Sequence, residues 1–129
     1  MNPTILIVDD DDALLHSMRR MLERSGYVVL EAGNIPEARA TIDVATPDLV
    51  IMDLVLPGME GREGANLIAA HCPGVRVLFI SGFTSQESIR MGHLGSGEAF
   101  LRKPFSVDEL LGEVERLLDS REQGGRMGA

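Results

Sequence analysis

The chain has 129 residues, 44% of them hydrophobic and 25% charged, which suits one globular domain with a single core. The net charge of −8 argues against nucleic acid as a direct partner, because phosphate recognition needs a basic face. A single cysteine excludes an internal disulfide, and the apolar runs are too short for a membrane span. Because the chain starts without an export signal, we expect a cytoplasmic protein with no membrane partner.

Apolar runs alternate with helical patterns along the chain. Thr4 to Val8 is a continuous run of apolar and β-branched residues, which is the pattern of a strand covered on both faces. By the same signals we predict strands at residues 4–8, 27–30, 49–52, 75–80 and 99–101.

Between these strands, apolar residues recur at helical spacing. The predicted inner faces are Leu14, Leu15, Met18, Met21 and Leu22; Ile35, Ala38 and Ile42; Leu67, Ile68 and Ala70; and Leu110, Leu111, Val114, Leu117 and Leu118. Capping boxes are predicted at Asn34–Glu37 and at Ser106–Glu109. Glycines interrupt residues 85–97, so we predict a short or irregular fourth helix there.

This alternation predicts an α/β fold, a doubly wound five-stranded parallel sheet with helices on both faces. The flavodoxin-like strand order 2-1-3-4-5 fits five strands. We assign residues 1–121 to the domain and residues 122–129 to a flexible, Gly-rich C-terminal tail.

Polar residues follow four of the predicted strands. Asp9 and Asp10 end strand 1, Asp53 ends strand 3, Ser81 ends strand 4 and Lys103 ends strand 5. Each residue has an ordinary explanation by itself, as a turn residue, a helix cap or a surface lysine. Their joint occurrence favours a site, because the carboxyl ends of parallel strands meet at one edge, where ligands bind. We expect either Asp11 or Asp12 to be the N-cap of the first helix.

The expected chemistry of this edge follows from its charge. Carboxylates about 5 Å apart repel by roughly 3 kcal/mol per pair at an effective dielectric constant near 20. A positive partner is therefore required, and hard oxygen ligands suit Mg²⁺. His16, His71 and His93 are scattered and are expected on the surface or at helix ends, so no softer metal competes. A carboxylate beside Mg²⁺ and a lysine can attack phosphorus.

The ordered set Asp9–Asp10, Asp53, Ser81 and Lys103–Phe105 resembles the response-regulator receiver domain of two-component signalling, over residues 3–120. The resemblance implies that Asp53 is the phosphoacceptor and Asp10 a direct Mg²⁺ ligand. It also implies that Asp9 holds the metal's water shell and that the backbone carbonyl of Val55 is a further ligand.

For the remaining residues, the resemblance implies a role in phosphoryl binding and switching. Ser81 would hydrogen-bond one phosphoryl oxygen and Lys103 would pair with another. Phe100 matches the aromatic switch position, and the peptide bond before Pro104 is cis in many relatives. The chain departs from the family pattern by having Ser81 where Thr is more usual, and by its glycine-rich segment before strand 5.

The function that the resemblance implies is a phosphorylation-dependent switch. A histidine kinase or phosphotransfer domain donates the phosphoryl group, and a downstream protein or attached domain receives the output. The chain would assist its own phosphorylation and dephosphorylation without being a turnover enzyme. The surface from strand 4 to helix 5 is a candidate homodimer face.

Two other functions remain open from the sequence. The first is a receiver-like interaction module that is not phosphorylated. The second is a Mg²⁺-dependent aspartyl-phosphate phosphatase, although Val55 stands where that chemistry usually has a second acid. A P-loop nucleotide switch is excluded, because the chain lacks the GxxxxGK[ST] pattern.

Overall fold

The computed structural model of the chain describes residues 2–127, with side chains described as far as Asp119. Strands and helices alternate in it, as the sequence pattern predicts. The elements are β1 (Thr4–Val8), α1 (Asp12–Arg24), β2 (Val28–Ala32), α2 (Ile35–Val44), β3 (Leu49–Asp53), α3 (Gly61–His71), β4 (Arg76–Ser81), α4 (Ser85–Arg90), β5 (Phe100–Arg102) and α5 (Val107–Met127).

The five strands of this described region form one parallel sheet in the order β2-β1-β3-β4-β5. This confirms the predicted doubly wound topology. The register pairs Val8 with Met52, and Asp53 with Ile80. The carboxyl ends of the neighbouring strands β1, β3 and β4 therefore lie side by side at one edge, with β5 next to β4.

Two hydrophobic cores lie on opposite faces of the sheet, which explains the continuous apolar strands. Ile5 and Ile7 point into the core under α1 and α5, whereas Leu6 and Val8 point into the core under α2 and α3. The predicted helix faces supply both cores. The buried helical residues include Leu15, Met18, Leu22, Ile35, Ala38, Ile42, Ile68, Leu110, Val114, Leu117 and Leu118.

The helix caps agree with the sequence with one adjustment. Ser106 and Glu109 form the reciprocal box, with N–H to oxygen distances of 3.1 and 2.9 Å. Asn34 accepts the N–H of Glu37 at 2.8 Å, but the carboxylate of Glu37 accepts from the N–H of Gly33 at 2.9 Å. The second bond of that cap therefore reaches one residue further back than a capping box requires.

The predicted inner face of α3 is partly wrong. Ile68 is buried, but Leu67 is only half-buried and Ala70 is exposed. The helix instead turns Gly64 and Ala65 inward, because it packs closely on the start of α2. A Cβ at Gly64 would collide with the side chain of Ile35.

The predicted strands β2, β4 and β5 are shifted toward the carboxyl end. Tyr27 stays outside β2 because its N–H donates to the carbonyl of Leu22 at 3.2 Å, which closes the end of α1. Strand β2 then continues through Ala32, opposite Val8. Similarly, β4 runs through Ser81 and β5 through Arg102, since these two residues pair in register.

The fourth helix is short, as predicted. It ends at Arg90, and Gly92 and Gly97 in the segment that follows have φ angles of 80° and 84°, a left-handed conformation that favours glycine. The backbone of α5 reaches Met127, within the predicted tail. The domain limit at residue 121 and the flexible tail stay predictions, and residues 128 and 129 lie outside the described residues. No helix of the described region is long and apolar enough to cross a membrane.

Candidate functional site

The ends of β1, β3 and β5 bring three charged side chains together. Asp53 is the last residue of β3, Asp9 directly follows β1 and Lys103 directly follows β5. Residues 44 and 50 positions apart from Asp53 in the sequence thus meet at the carboxyl edge of the sheet. This is the convergence that the predicted strand order requires.

Asp9, Asp10 and Asp53 form an acidic cluster in which one oxygen of each lies within 4.8 Å of the others. Asp9 is fully buried and Asp53 is 4% exposed, while Asp10 is exposed. Buried carboxylates need partners, because their desolvation costs several kcal/mol. The cluster is therefore built from two shielded acids and one that faces solvent.

The carboxylate of Asp53 is held at both oxygens. Oδ1 accepts the backbone N–H of Val55 at 2.9 Å, and Oδ2 accepts from the ammonium of Lys103 at 3.0 Å. Burial raises the pKa of Asp53, whereas the Val55 N–H and Lys103 lower it, and the neighbouring charge of Asp9 raises it. The net effect is a pKa above the ordinary value.

Lys103 is shared between two acids. Its Nζ lies 2.9 Å from Oδ2 of Asp9 and 3.0 Å from Oδ2 of Asp53. Burial lowers the pKa of Lys103, but hydrogen bonds and charges from both acids outweigh burial and raise it. The ammonium therefore stays charged and stabilises both buried carboxylates.

The backbone around Lys103 and Asp9 fixes their positions. The N–H of Lys103 donates to the carbonyl of Ser81 at 2.8 Å, and the bond from Lys103 to Pro104 is cis, as the family resemblance implies. Oδ1 of Asp9 accepts the N–H of Asp11 at 2.9 Å. Asp11 in turn caps α1 by accepting the N–H of Leu14 at 3.2 Å, so the cap is Asp11 and not Asp12.

The turn after Asp53 is packed against the start of α3. The N–H of Gly61 donates to the carbonyl of Leu54 at 3.1 Å. The N–H of Leu54 donates to the carbonyl of Ile80 at 3.0 Å. A Cβ at Gly61 would collide with the carbonyl oxygen of Asp53. Only glycine therefore fits this contact without movement of the turn.

Ser81 ends β4 and Phe100 begins β5, and neither belongs to the acidic cluster. The buried hydroxyl of Ser81 accepts the N–H of Phe83 at 3.1 Å. Phe100 is half-buried, pairs with Phe79 across β4 and β5, and packs against the core under α2 and α3. Both predicted switch residues are thus on the β4 and β5 side of the site.

The donor set fits a hard divalent cation. Three carboxylates and one ammonium leave two uncompensated negative charges among oxygen atoms that are less than 5 Å apart. Oxygen ligands at this density, with one of them open to solvent, match the partly hydrated binding that Mg²⁺ prefers. Histidine and cysteine play no part in this cluster.

Comparison with known proteins assigns the family. The family model "Response regulator receiver domain" matches residues 5–115. The chain belongs to this family. This family assignment confirms the resemblance to receiver domains of two-component response regulators and the predicted fold class, and a phosphoryl-acceptor role is consistent with it.

Individual relatives agree with the family model. The response regulator MprA of Mycobacterium ulcerans is 33% identical over 121 residues, 92% of this chain and 51% of that protein. The DNA-binding response regulator MtrA of Mycolicibacterium smegmatis is 30% identical over 122 residues, 95% of this chain and 53% of that protein. A CheY-like receiver domain from Methanospirillum hungatei superposes with a TM-score of 0.85 at 32% identity, covering 96% of this chain and 99% of that one.

The chain thus spans about half the length of these two sequence relatives. One of them is named as DNA-binding. The expectation that this chain has no direct nucleic-acid partner therefore stays a prediction.

Proposed function

We propose that Asp53 accepts a phosphoryl group and that this modification switches the chain between two states. The observation that carries the proposal is the meeting of Asp53 with Asp9, Asp10 and Lys103 at one edge of the sheet. A carboxylate near two other acids and one ammonium has the partners that phosphoryl transfer needs. Membership of the receiver family supports this role for the site.

The transfer itself is a displacement at phosphorus. A carboxylate oxygen of Asp53 forms a bond to phosphorus while the bond from phosphorus to the donor's imidazole nitrogen breaks. The imidazole leaves with the electron pair and takes up a proton from solvent. The donor in this proposal is a phosphohistidine of a histidine kinase or phosphotransfer domain.

Lys103 has the charge and the position to assist that step. Its ammonium already lies 3.0 Å from Asp53, so it can pair with a phosphoryl oxygen where negative charge collects. Lys103 also pairs with Asp9, and this second ion pair holds the ammonium at the site in the absence of phosphate. Ser81 would hydrogen-bond another phosphoryl oxygen after leaving the N–H of Phe83.

Asp9, Asp10, Asp53 and the backbone carbonyl of Val55 would hold Mg²⁺. Bound there, the cation would neutralise the carboxylates and the oxygens of the transferring group. Groups of this chain orient the carboxylates themselves. Lys103 and the Val55 N–H fix Asp53, and the Asp11 N–H fixes Asp9.

The switch would run from Ser81 to Phe100. Ser81 and Phe100 lie on adjacent strands, and the half-buried ring packs on a core edge rather than inside it. Movement of the Ser81 side chain toward a phosphoryl group would free space for the ring. The surface from β4 to α5 would then present a different face to a downstream protein, an attached domain or a second copy of the chain.

The test is an intact-mass measurement after incubation with Mg²⁺ and acetyl phosphate. We expect one phosphoryl adduct on the wild type and none on Asp53→Asn. Asp43→Asn, which changes an exposed aspartate on α2, is the matched control and should keep the adduct.

Other outcomes would redirect the assignment. An adduct that persists in Asp53→Asn would contradict the proposed acceptor. Repeated turnover of a small phosphate ester would favour an aspartyl-phosphate phosphatase. Absence of an adduct with acetyl phosphate and with a phosphohistidine donor would favour an interaction module. A cytoplasmic location and protein partners would suit that function equally well.

A further inference from the structure

One ion pair and one histidine–carboxylate contact join the start of α3 to the segment between α4 and β5. The guanidinium of Arg62 pairs with the carboxylate of Glu98, and Nε2 of His93 lies 3.4 Å from Oε1 of Glu60. Arg62, Glu98 and His93 are each less than one-third exposed. We call these four residues the α3 brace.

Arg62 is also held by an aromatic ring. Its guanidinium carbon lies 5.3 Å from the centroid of the Phe79 ring, within the range of a cation–π contact. Phe79 is buried in the core under α2 and α3 and pairs in register with Phe100. Arg62 therefore has two independent restraints, a carboxylate at one side and a ring beneath.

Glu98 closes a small turn as well as pairing with Arg62. Its Oε1 accepts the N–H of Gly95 at 2.6 Å, and its own N–H donates to the carbonyl of Gly95 at 3.3 Å. A Cβ on Gly95 would approach Oε1 of Glu98 at 2.9 Å and Nη2 of Arg62 at 3.2 Å. The absence of a side chain at Gly95 thus leaves room for the ion pair.

The α3 brace lies close in sequence to the turn after Asp53 at one end and to Phe100 at the other. Arg62 follows Gly61, which packs directly on the backbone of Asp53. Glu98 stands two residues before Phe100. A path therefore runs from Asp53 through Gly61 and Arg62 to the ring of Phe79, which pairs in register with Phe100, without passing through Ser81.

We propose that the α3 brace holds residues 93–100 in their unphosphorylated arrangement and couples that segment to the turn after Asp53. Arg62 and Glu98 are then positioning residues for the switch, and neither takes part in phosphoryl transfer. The holding role concerns the free protein, and only the coupling role rests on the proposed function. Because the brace spans two elements by side-chain contacts, its release needs no change in the central strands.

The test of holding is amide hydrogen exchange on the full chain without phosphate. Arg62→Met and Glu98→Gln should each speed exchange in residues 93–100 by about fivefold, the equivalent of roughly 1 kcal/mol. The double variant should add little to either single change, because both remove the same contact. Arg19→Met, which removes the pairs of Arg19 with Glu23 on α1 and Glu31 on β2, is the matched control and should leave this segment unchanged.

The test of coupling repeats the exchange measurement with Mg²⁺ and acetyl phosphate. Phosphorylation should speed exchange of residues 93–100 in the wild type by a similar factor and have less than half of that effect in Arg62→Met and Glu98→Gln. The adduct itself should form in all of them. Arg62→Lys keeps the charge and loses the planar fork, so its exchange response should lie between those of the wild type and Arg62→Met. It serves as the test variant if Arg62→Met folds poorly.

Unchanged exchange in both single variants, or fully additive effects in the double variant, would overturn the α3 brace. A phosphorylation response of wild-type size in the variants would overturn its coupling role. If the wild type takes no adduct, the proposed function fails, while the exchange data on the free protein still decide whether the brace holds the segment.

Discussion

The centre of the sheet and its β5 side are built differently. Every residue of β3 is buried, and the strand pairs with β1 on one side and β4 on the other. On the β5 side the last strand has three residues and the neighbouring helix α4 has six. Three large apolar side chains near α4 are more than two-fifths exposed: Phe83, Ile89 and Met91.

The acidic cluster is thus attached to fully buried strands, whereas the surface around α4 is only weakly packed. The central strands fix the acidic cluster through hydrophobic burial, which contributes several kcal/mol for each large side chain. The β5 side is fastened by a helix cap and ion pairs, each worth about 1 kcal/mol. We therefore expect the proposed phosphorylation of Asp53 to move the β5 side and to leave the central strands in place. Five predictions probe this contrast.

The largest expected effect compares one buried side chain from each region. Ile51→Ala in β3 should lower the free energy of unfolding by about 4 kcal/mol, because the fully enclosed site cannot collapse around the cavity. Leu94→Ala, after α4, should cost about 2 kcal/mol, since its glycine-flanked segment can relax. Urea unfolding of both variants measures the difference. Equal losses would remove the contrast between the regions.

Removal of the shared ammonium tests the charge balance at the centre. Lys103→Met should lower the free energy of unfolding by about 3 kcal/mol at neutral pH, because two buried carboxylates lose their partner. Addition of Mg²⁺ should recover part of that loss. Arg102→Met, which changes the exposed neighbour, should have less than a third of the effect. Stability equal to the wild type would contradict the role assigned to Lys103.

The turn between the two regions is tested by a methyl group. Gly61→Ala should destabilise the chain by about 2 kcal/mol, because the new Cβ would meet the carbonyl oxygen of Asp53. Gly112→Ala places the same group in open space on α5 and should stabilise the chain by about 0.5 kcal/mol. Thermal unfolding gives both values. A neutral Gly61→Ala would show that the turn can move freely.

The cap of α4 should matter less than the buried side chain of Ile51 or the ammonium of Lys103. Thr84→Ala removes the capping box with Glu87 and should cost about 1 kcal/mol. The backbone N–H and hydroxyl of Thr84 lower the pKa of Glu87 from its ordinary value of 4.5, helped by Arg102 and Arg90. The ionised carboxylate of Glu87 therefore stabilises the cap fully at pH values above its ordinary pKa. This contribution is lost as the pH falls through the lowered pKa of the folded state.

An NMR titration measures this cap directly. The pKa of Glu87 should move back toward its ordinary value in Thr84→Ala. Unchanged titration of Glu87 would mean that the hydroxyl of Thr84 contributes nothing to the cap.

The smallest expected effect is relief of repulsion at the solvent-facing acid. Asp10→Asn should raise the free energy of unfolding by about 0.5 kcal/mol, because Asp10 is exposed and its charge is screened by water. Millimolar Mg²⁺ should raise the thermal midpoint of the wild type more than that of Asp10→Asn. Midpoints that respond to neither change would argue against a crowded acidic site.

Much of the fold follows from local patterns in the sequence. Continuous apolar runs such as Thr4–Val8 identify strands covered on both faces, and the order of polar residues at their ends predicts the convergence of Asp9, Asp53 and Lys103. The capping box at Thr84 and Glu87 was not predicted, although its signal is present, because Thr and Glu three residues apart stand at the start of a helix.

Other features depend on contacts that no local pattern encodes. The inner face of α3 is set by the approach of Gly64 to Ile35, so periodicity alone wrongly favoured Ala70. The sequence assigned Lys103 to the phosphoryl group and did not reveal that it also pairs with Asp9. The pairing of Arg62 with Glu98 could not be predicted, because the two residues are 36 positions apart and each looks like an ordinary charged surface residue in the sequence.

The hydrogen bonds that fix Asp9 carry a practical consequence. Asp9 accepts from the N–H of Asp11, and Asp11 accepts from that of Leu14, so the acidic cluster is tied to the first turn of α1. Cation binding at Asp9 would alter the electron density along this relay. The amide signal of Leu14 in a heteronuclear spectrum would then report ion occupancy from outside the acidic cluster, with no label introduced beside its carboxylates.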